Sequence, residues 1–115
     1  MKITYKNKKI KKECNDPKIR VKKYGDDVSY KLFKLLILIE NSPSFNDVYM
    51  FPQYHAHKLK GELKNEYSLV ISRRSKYRLI VFPFDDLLLE LEDDDLDALQ
   101  SLKSLKIIEV SPHYE

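Results

Sequence analysis

Cysteine and glycine are scarce in this sequence, with one cysteine, Cys14, and two glycines in 115 residues. A lone cysteine excludes an internal disulfide and a cysteine-based metal cluster. Two glycines leave few positions for loops that need left-handed backbone. Long hydrophobic runs are missing as well. The longest near-apolar stretch, LFKLLILI at 32–39, is interrupted by Lys34 and is far shorter than the roughly 20 residues that cross a bilayer, so no membrane partner is expected. The opening residues MKITYKNKK lack the apolar stretch of a signal peptide. Cytoplasmic residence is the expectation.

What is present is a globular balance: 43% hydrophobic and 34% charged residues, with eight tyrosines and five phenylalanines. Such a chain buries enough apolar surface to fold. Its length fits one domain over 1–115, without room for a separate cofactor domain. The formal charge of +3 hides an asymmetry, because the segment 85–104 holds eight acids and one lysine, a local net of −7, which leaves +10 on the rest. A field of that sign attracts polyanions, of which nucleic acid is the commonest in a cytoplasm.

Ile3 and Tyr5 alternate weakly, as in a short first strand, and KNKKIKKEC reads as a helix with a thin apolar stripe. Over 26–41, Val28, Leu32, Leu35, Leu36 and Ile39 recur at i, i+4, i+7, i+8 and i+11, the stripe of an amphipathic helix. Asp26 or Asp27 suits its start and Ser42-Pro43 its end. SPSFNDVYMFPQY is a connector that suits one helical turn. EYSLVIS and YRLIVFPF alternate as strands joined by a turn at 73–76, and LKIIEV at 105–110 is a last strand. The acidic stretch between them suits an extended hairpin or a short helix carrying Leu96, Leu99 and Leu102. A strand, helices and then a run of strands imply an α+β fold with a mainly antiparallel sheet.

Chemistry points to the start of that hairpin. Arg78 shares a strand face with Ile80 and Phe82, an odd place for a guanidinium unless the face is open or the charge has a carboxylate partner such as Glu62 or Glu66. His57 and Lys60 lie three apart before Gly61, on one helical turn or in a loop where they still converge. The HAH at 55–57 has no further ligand at metal-like spacing, so no metal or other cofactor is expected. His113 and Tyr114 follow the last strand, whose end would approach Lys60 and Arg78 if it pairs beside the hairpin.

HKLKGELKNEYSLVISRRSKYRLIVF followed by a terminal EVSPHYE resembles the RelE/ParE toxin superfamily, and within it the HigB (host inhibition of growth) type. The shared pattern is His-x-Leu-Lys-Gly, a strand with an aromatic and Ser, a turn, then aromatic-Arg-Leu-hydrophobic-Phe, and a histidine near the C-terminus. The resemblance covers about 54–84 and the last few residues. It implies a compact RelE-like fold and the toxin half of a type II toxin–antitoxin module, a ribosome-dependent endoribonuclease that cleaves mRNA in the A site. The implied partners are a HigA-like helix-turn-helix antitoxin, the ribosome and its mRNA, and operator DNA only through the antitoxin complex.

Carried over by position, His57, Lys60, Arg78 and His113 are the implied catalytic set. Metal-free RNA cleavage needs a base for the 2′-hydroxyl, cations for the phosphorane and an acid for the leaving 5′-oxygen. Lys58, Lys64, Arg73, Arg74 and Tyr114 are the implied RNA-binding set, with Lys6, Lys8, Lys9, Lys11 and Lys12 as wider phosphate contacts. Two departures stand out: Ser111-Pro112 precedes His113 where the family often has Asp-Tyr, and the acidic segment is longer than a tight strand connection. Two other readings stay open, a ParE-like inhibitor that binds DNA gyrase without cleavage and a catalytically silent binding module.

Overall fold

A computed structural model describes residues 1–61, 65–85, 99 and 102–112. The chain begins with β1 (Lys2–Tyr5) and α1 (Lys8–Asn15), then the long α2 (Pro17–Asn41) and the single turn α3 (Phe45–Tyr49). A 3-10 turn at Pro52–Tyr54 leads into β2 (His57–Lys58), β3 (Tyr67–Ser72), β4 (Tyr77–Phe84) and β5 (Ser104–Ser111). The strands form one sheet in the order β1-β5-β4-β3-β2, in which only β1 and β5 run parallel. The α+β class and the mainly antiparallel sheet agree with the sequence reading.

Local signals explain most boundaries. Asn7 Oδ1 accepts from the Ile10 amide at 2.9 Å to cap α1, and Asp16 Oδ1 accepts from Lys18 and Ile19 at 3.0 and 3.3 Å to cap α2. Pro17 stands at the first helical position, where its missing N–H costs nothing. The helix expected over 26–41 is therefore the second arm of a longer one, kinked where Gly25 has φ 84° and ψ 169°. Asp27, expected as a helix start, instead accepts from Ser72 Oγ at 3.2 Å and pairs with Lys31 at 3.3 Å. Val28, Leu32, Leu35, Leu36 and Ile39 are all buried, as their spacing implies.

One face of the sheet packs on α2 and α3. Tyr67, Leu69 and Ile71 of β3, Leu79 and Val81 of β4, and Leu105 and Ile107 of β5 meet Leu32, Leu35, Ile39 and Phe45 there. Phe45 and Tyr67 stack edge-on with centroids 4.9 Å apart. Leu99 and Leu102 join this core, and the Leu102 carbonyl accepts from the Phe45 amide at 2.8 Å. Leu96 and the rest of 86–98, for which the sequence predicts an extended hairpin or a short helix, lie outside the described residues. Among the described residues no helix is long and apolar enough to cross a membrane.

Candidate functional site

The site grows from the strand period. In β4, Tyr77, Leu79 and Val81 point to the helices, so Arg78, Ile80 and Phe82 take the opposite face. Register carries that face across the sheet in rows. Val70, Arg78 and Ser111 form one row. His57, Ser68, Ile80 and Glu109 form the next. Phe82 and Lys106 pair in a third, which Glu66 joins by continuing β3 one residue before Tyr67. His57 and Arg78 are thus two strands and two residues apart on one face, on the order of 12 Å between Cα atoms from ordinary strand spacings. Between them on that face stand Ser68, Val70 and Ile80, all three buried.

Arg78 is half-buried and its Nη1 donates to the carbonyl of Tyr77 at 3.2 Å. Among the described residues it has no carboxylate partner. Glu66, one of the two acids the sequence offers it, sits two rows away, and Glu62 lies outside the described residues. Ser111, the end of β5, pairs beside Arg78, as expected if the last strand flanks the hairpin.

His57 is exposed on β2, and its Nδ1 lies 3.2 Å from the main-chain carbonyl of His55. Lys60 is exposed just past the strand, before Gly61, whose φ of 73° gives the left-handed bend there. The expected helical turn or loop holding His57 is instead a two-residue strand. That strand separates Lys58 from His57: Lys58 pairs with the core residue Tyr67 and so lies on the helix side. Arg73 and Arg74 are exposed on the β3–β4 turn, with the Arg73 guanidinium against His55 Nε2. Lys64, His113 and Tyr114 lie outside the described residues. Among those described, no group of three or more His, Cys, Asp or Glu could hold a metal.

Two features of this face escape a sequence reading. Ser68 is fully buried on it and its Oγ has no partner among the described residues. Glu66 Oε1 is likewise buried without a partner among the described residues, and desolvation raises the pKa of Glu66, with Lys6 and Lys106 opposing and Glu109 reinforcing. Lys106 lies with its Nζ 5.5 Å from the centroid of the Phe82 ring. The alternation of LKIIEV was the available signal for Lys106; Glu66 needed the register.

No family model matches the chain, and no curated protein does. Solved structures do. The YoeB/ParE toxin from Agrobacterium tumefaciens is similar over 99% of this chain and 100% of that one, with a TM-score of 0.58 and 14% identity. The YoeB-YefM complex from Staphylococcus aureus is similar over 99% of this chain and 98% of that one, with a TM-score of 0.56 and 18% identity. The architecture is that of YoeB/ParE-type toxins over essentially the whole chain.

Proposed function

We propose that this protein is the toxin of a type II toxin–antitoxin pair, of the HigB type, and that it cleaves mRNA in the ribosomal A site without a metal. The observation that carries this reading is Arg78: a guanidinium with no carboxylate partner among the described residues, on the sheet face that also carries His57. A gyrase inhibitor that acts by binding alone has no need for an arginine and a histidine on one face of the sheet.

In the proposed reaction His57 Nε2 takes the proton of a ribose 2′-hydroxyl, and the resulting oxygen attacks the adjacent phosphorus. The bond to the 5′-oxygen breaks, that oxygen is protonated as it leaves, and a 2′,3′-cyclic phosphate remains. Arg78 and Lys60 stabilise the charge that builds on the non-bridging oxygens. His113 is the proposed acid and Tyr114 the proposed stacking partner for a base, a role aromatics take with unpaired RNA. An antitoxin of the HigA type would hold the toxin silent. The outer side of α2 offers it an apolar strip of Tyr30, Phe33 and Ile37, exposed by 61, 45 and 41%.

The test is induced expression in a bacterial host without antitoxin, wild type beside Lys60→Ala, Arg78→Ala and His113→Ala, with primer-extension mapping of transcripts. Cuts inside translated frames that vanish in the variants are the expected result. Growth arrest without cuts would transfer the reading to gyrase or another bound target, and no arrest would leave a silent module.

A further inference from the structure

A cavity of about 470 Å³ opens on the helix side of the sheet, lined by Lys31 and Lys34 of α2, Gln53 and Tyr54 of the 3-10 turn, and Arg73 and Arg74 of the β3–β4 turn. That volume falls in the range of sites that bind small molecules or single nucleotides. Four cations converge on it and one acid, Asp27, stands against them, already shared between Lys31 and the Ser72 hydroxyl. Arg74 has no ion-pair partner among the described residues. Among the described residues Arg73 meets only the ring nitrogen of His55, which must accept because a guanidinium only donates.

We infer that this groove is a second RNA-backbone site, distinct from the face that carries Arg78 and gripping a separate segment of RNA without regard to sequence. The choice of ligand rests on the reading of the chain as an RNA-acting toxin; the site itself rests on the groove. Val70 pairs with Arg78 on β4 and also lines the cavity, so the two sites flank one end of the sheet from opposite sides. A single strand would have to wrap around the β3–β4 turn to fill both. RNA suits the lining better than an acidic peptide does. The arginine forks grip phosphate and carboxylate oxygens alike, but Tyr54 and Gln53 add a ring for stacking and an amide for base edges, for which a run of carboxylates has no use.

The experiment is fluorescence anisotropy of the full chain with a short labelled oligouridine across a salt series, comparing wild type with Lys31→Gln/Lys34→Gln and with Arg73→Gln/Arg74→Gln. Each double variant is expected to bind about tenfold more weakly, with a salt slope shallower by about 1.4, two phosphates' worth for a single strand. Acetylation of lysines in the wild type gives a reading that needs no variant: bound RNA is expected to protect Lys31 and Lys34. Folded variants with unchanged affinity and slope, or unprotected lysines, would overturn the inference. So would an acidic peptide of equal charge that binds more tightly than RNA and is lost in the same variants. The two readings separate cleanly: cleavage on ribosomes with an inert groove removes this site alone, whereas RNA held by the groove without cleavage removes the nuclease alone.

Discussion

The Nδ1 of His57 donates to the carbonyl of His55 at 3.2 Å, because a carbonyl can only accept. The neutral ring therefore keeps its lone pair at Nε2, on the nitrogen not occupied by the main chain. This orientation is what a base needs, and it separates two histidine roles that sequence leaves interchangeable. His57→Ala is expected to slow single-turnover cleavage of ribosome-bound mRNA by about 10²–10⁴, with partial recovery on adding imidazole. An unchanged rate would place the base elsewhere.

Arg78 makes one hydrogen bond, to its neighbour's carbonyl, and no ion pair among the described residues. Its removal should therefore cost little stability and much rate. Arg78→Ala is expected to change unfolding free energy by under about 1 kcal/mol while lowering cleavage by about 10²–10³, the usual scale for losing one group that stabilises transition-state charge. Urea denaturation beside single-turnover kinetics reads both. A large stability loss would mean that the arginine has a structural partner.

These expectations show which parts of the molecule were legible in the sequence. Alternation in YRLIVFPF suffices to put Arg78 opposite the core, and helical spacing suffices to bury Leu32 and Ile39. His57 was not assignable, because a two-residue strand has no period to read, and the same brevity hid that Lys58 faces away from it. Asp16-Pro17 was a readable helix start, but Gly25 reads as a stop and masked the first arm of α2. The parallel pairing of β1 with β5 brings Lys2 beside Ser104, and Glu66 acts on Lys106 and Glu109 only through such register, which local pattern does not encode.

Gly25 carries a backbone conformation, φ 84° and ψ 169°, that side chains avoid, yet a Cβ there would meet nothing within 4 Å. The cost of a substitution is therefore purely conformational. Gly25→Ala is expected to lower stability by about 1–3 kcal/mol, read as a lower urea midpoint with an unchanged slope. A gain would show instead that alanine straightens α2 into one helix without penalty.

Alkaline pH should weaken the fold through two buried acids. Burial pushes the Cys14 thiol from an ordinary value near 9.0 up to about 12, with Glu13 reinforcing and Arg20 opposing. Burial and then Glu13 also raise the Tyr24 phenol above its ordinary 10.0. For an acid whose folded pKa is raised, stability is intact below the unfolded pKa and is lost as pH climbs, since only the unfolded chain releases its proton. The window opens near 9 for Cys14 and near 10 for Tyr24, and for Cys14 it closes near 12. Each group removes at most about 1.4 kcal/mol per pH unit inside its window. The urea midpoint is expected to stay flat from about pH 7 to 8 and to fall between about pH 9 and 11. Cys14→Ala should start lower, having lost packing, but should fall less steeply over that range. Equal slopes in the two proteins would mean that the thiol ionises as freely in the folded chain as in the unfolded one, and rapid native-state alkylation of Cys14 would then accompany them.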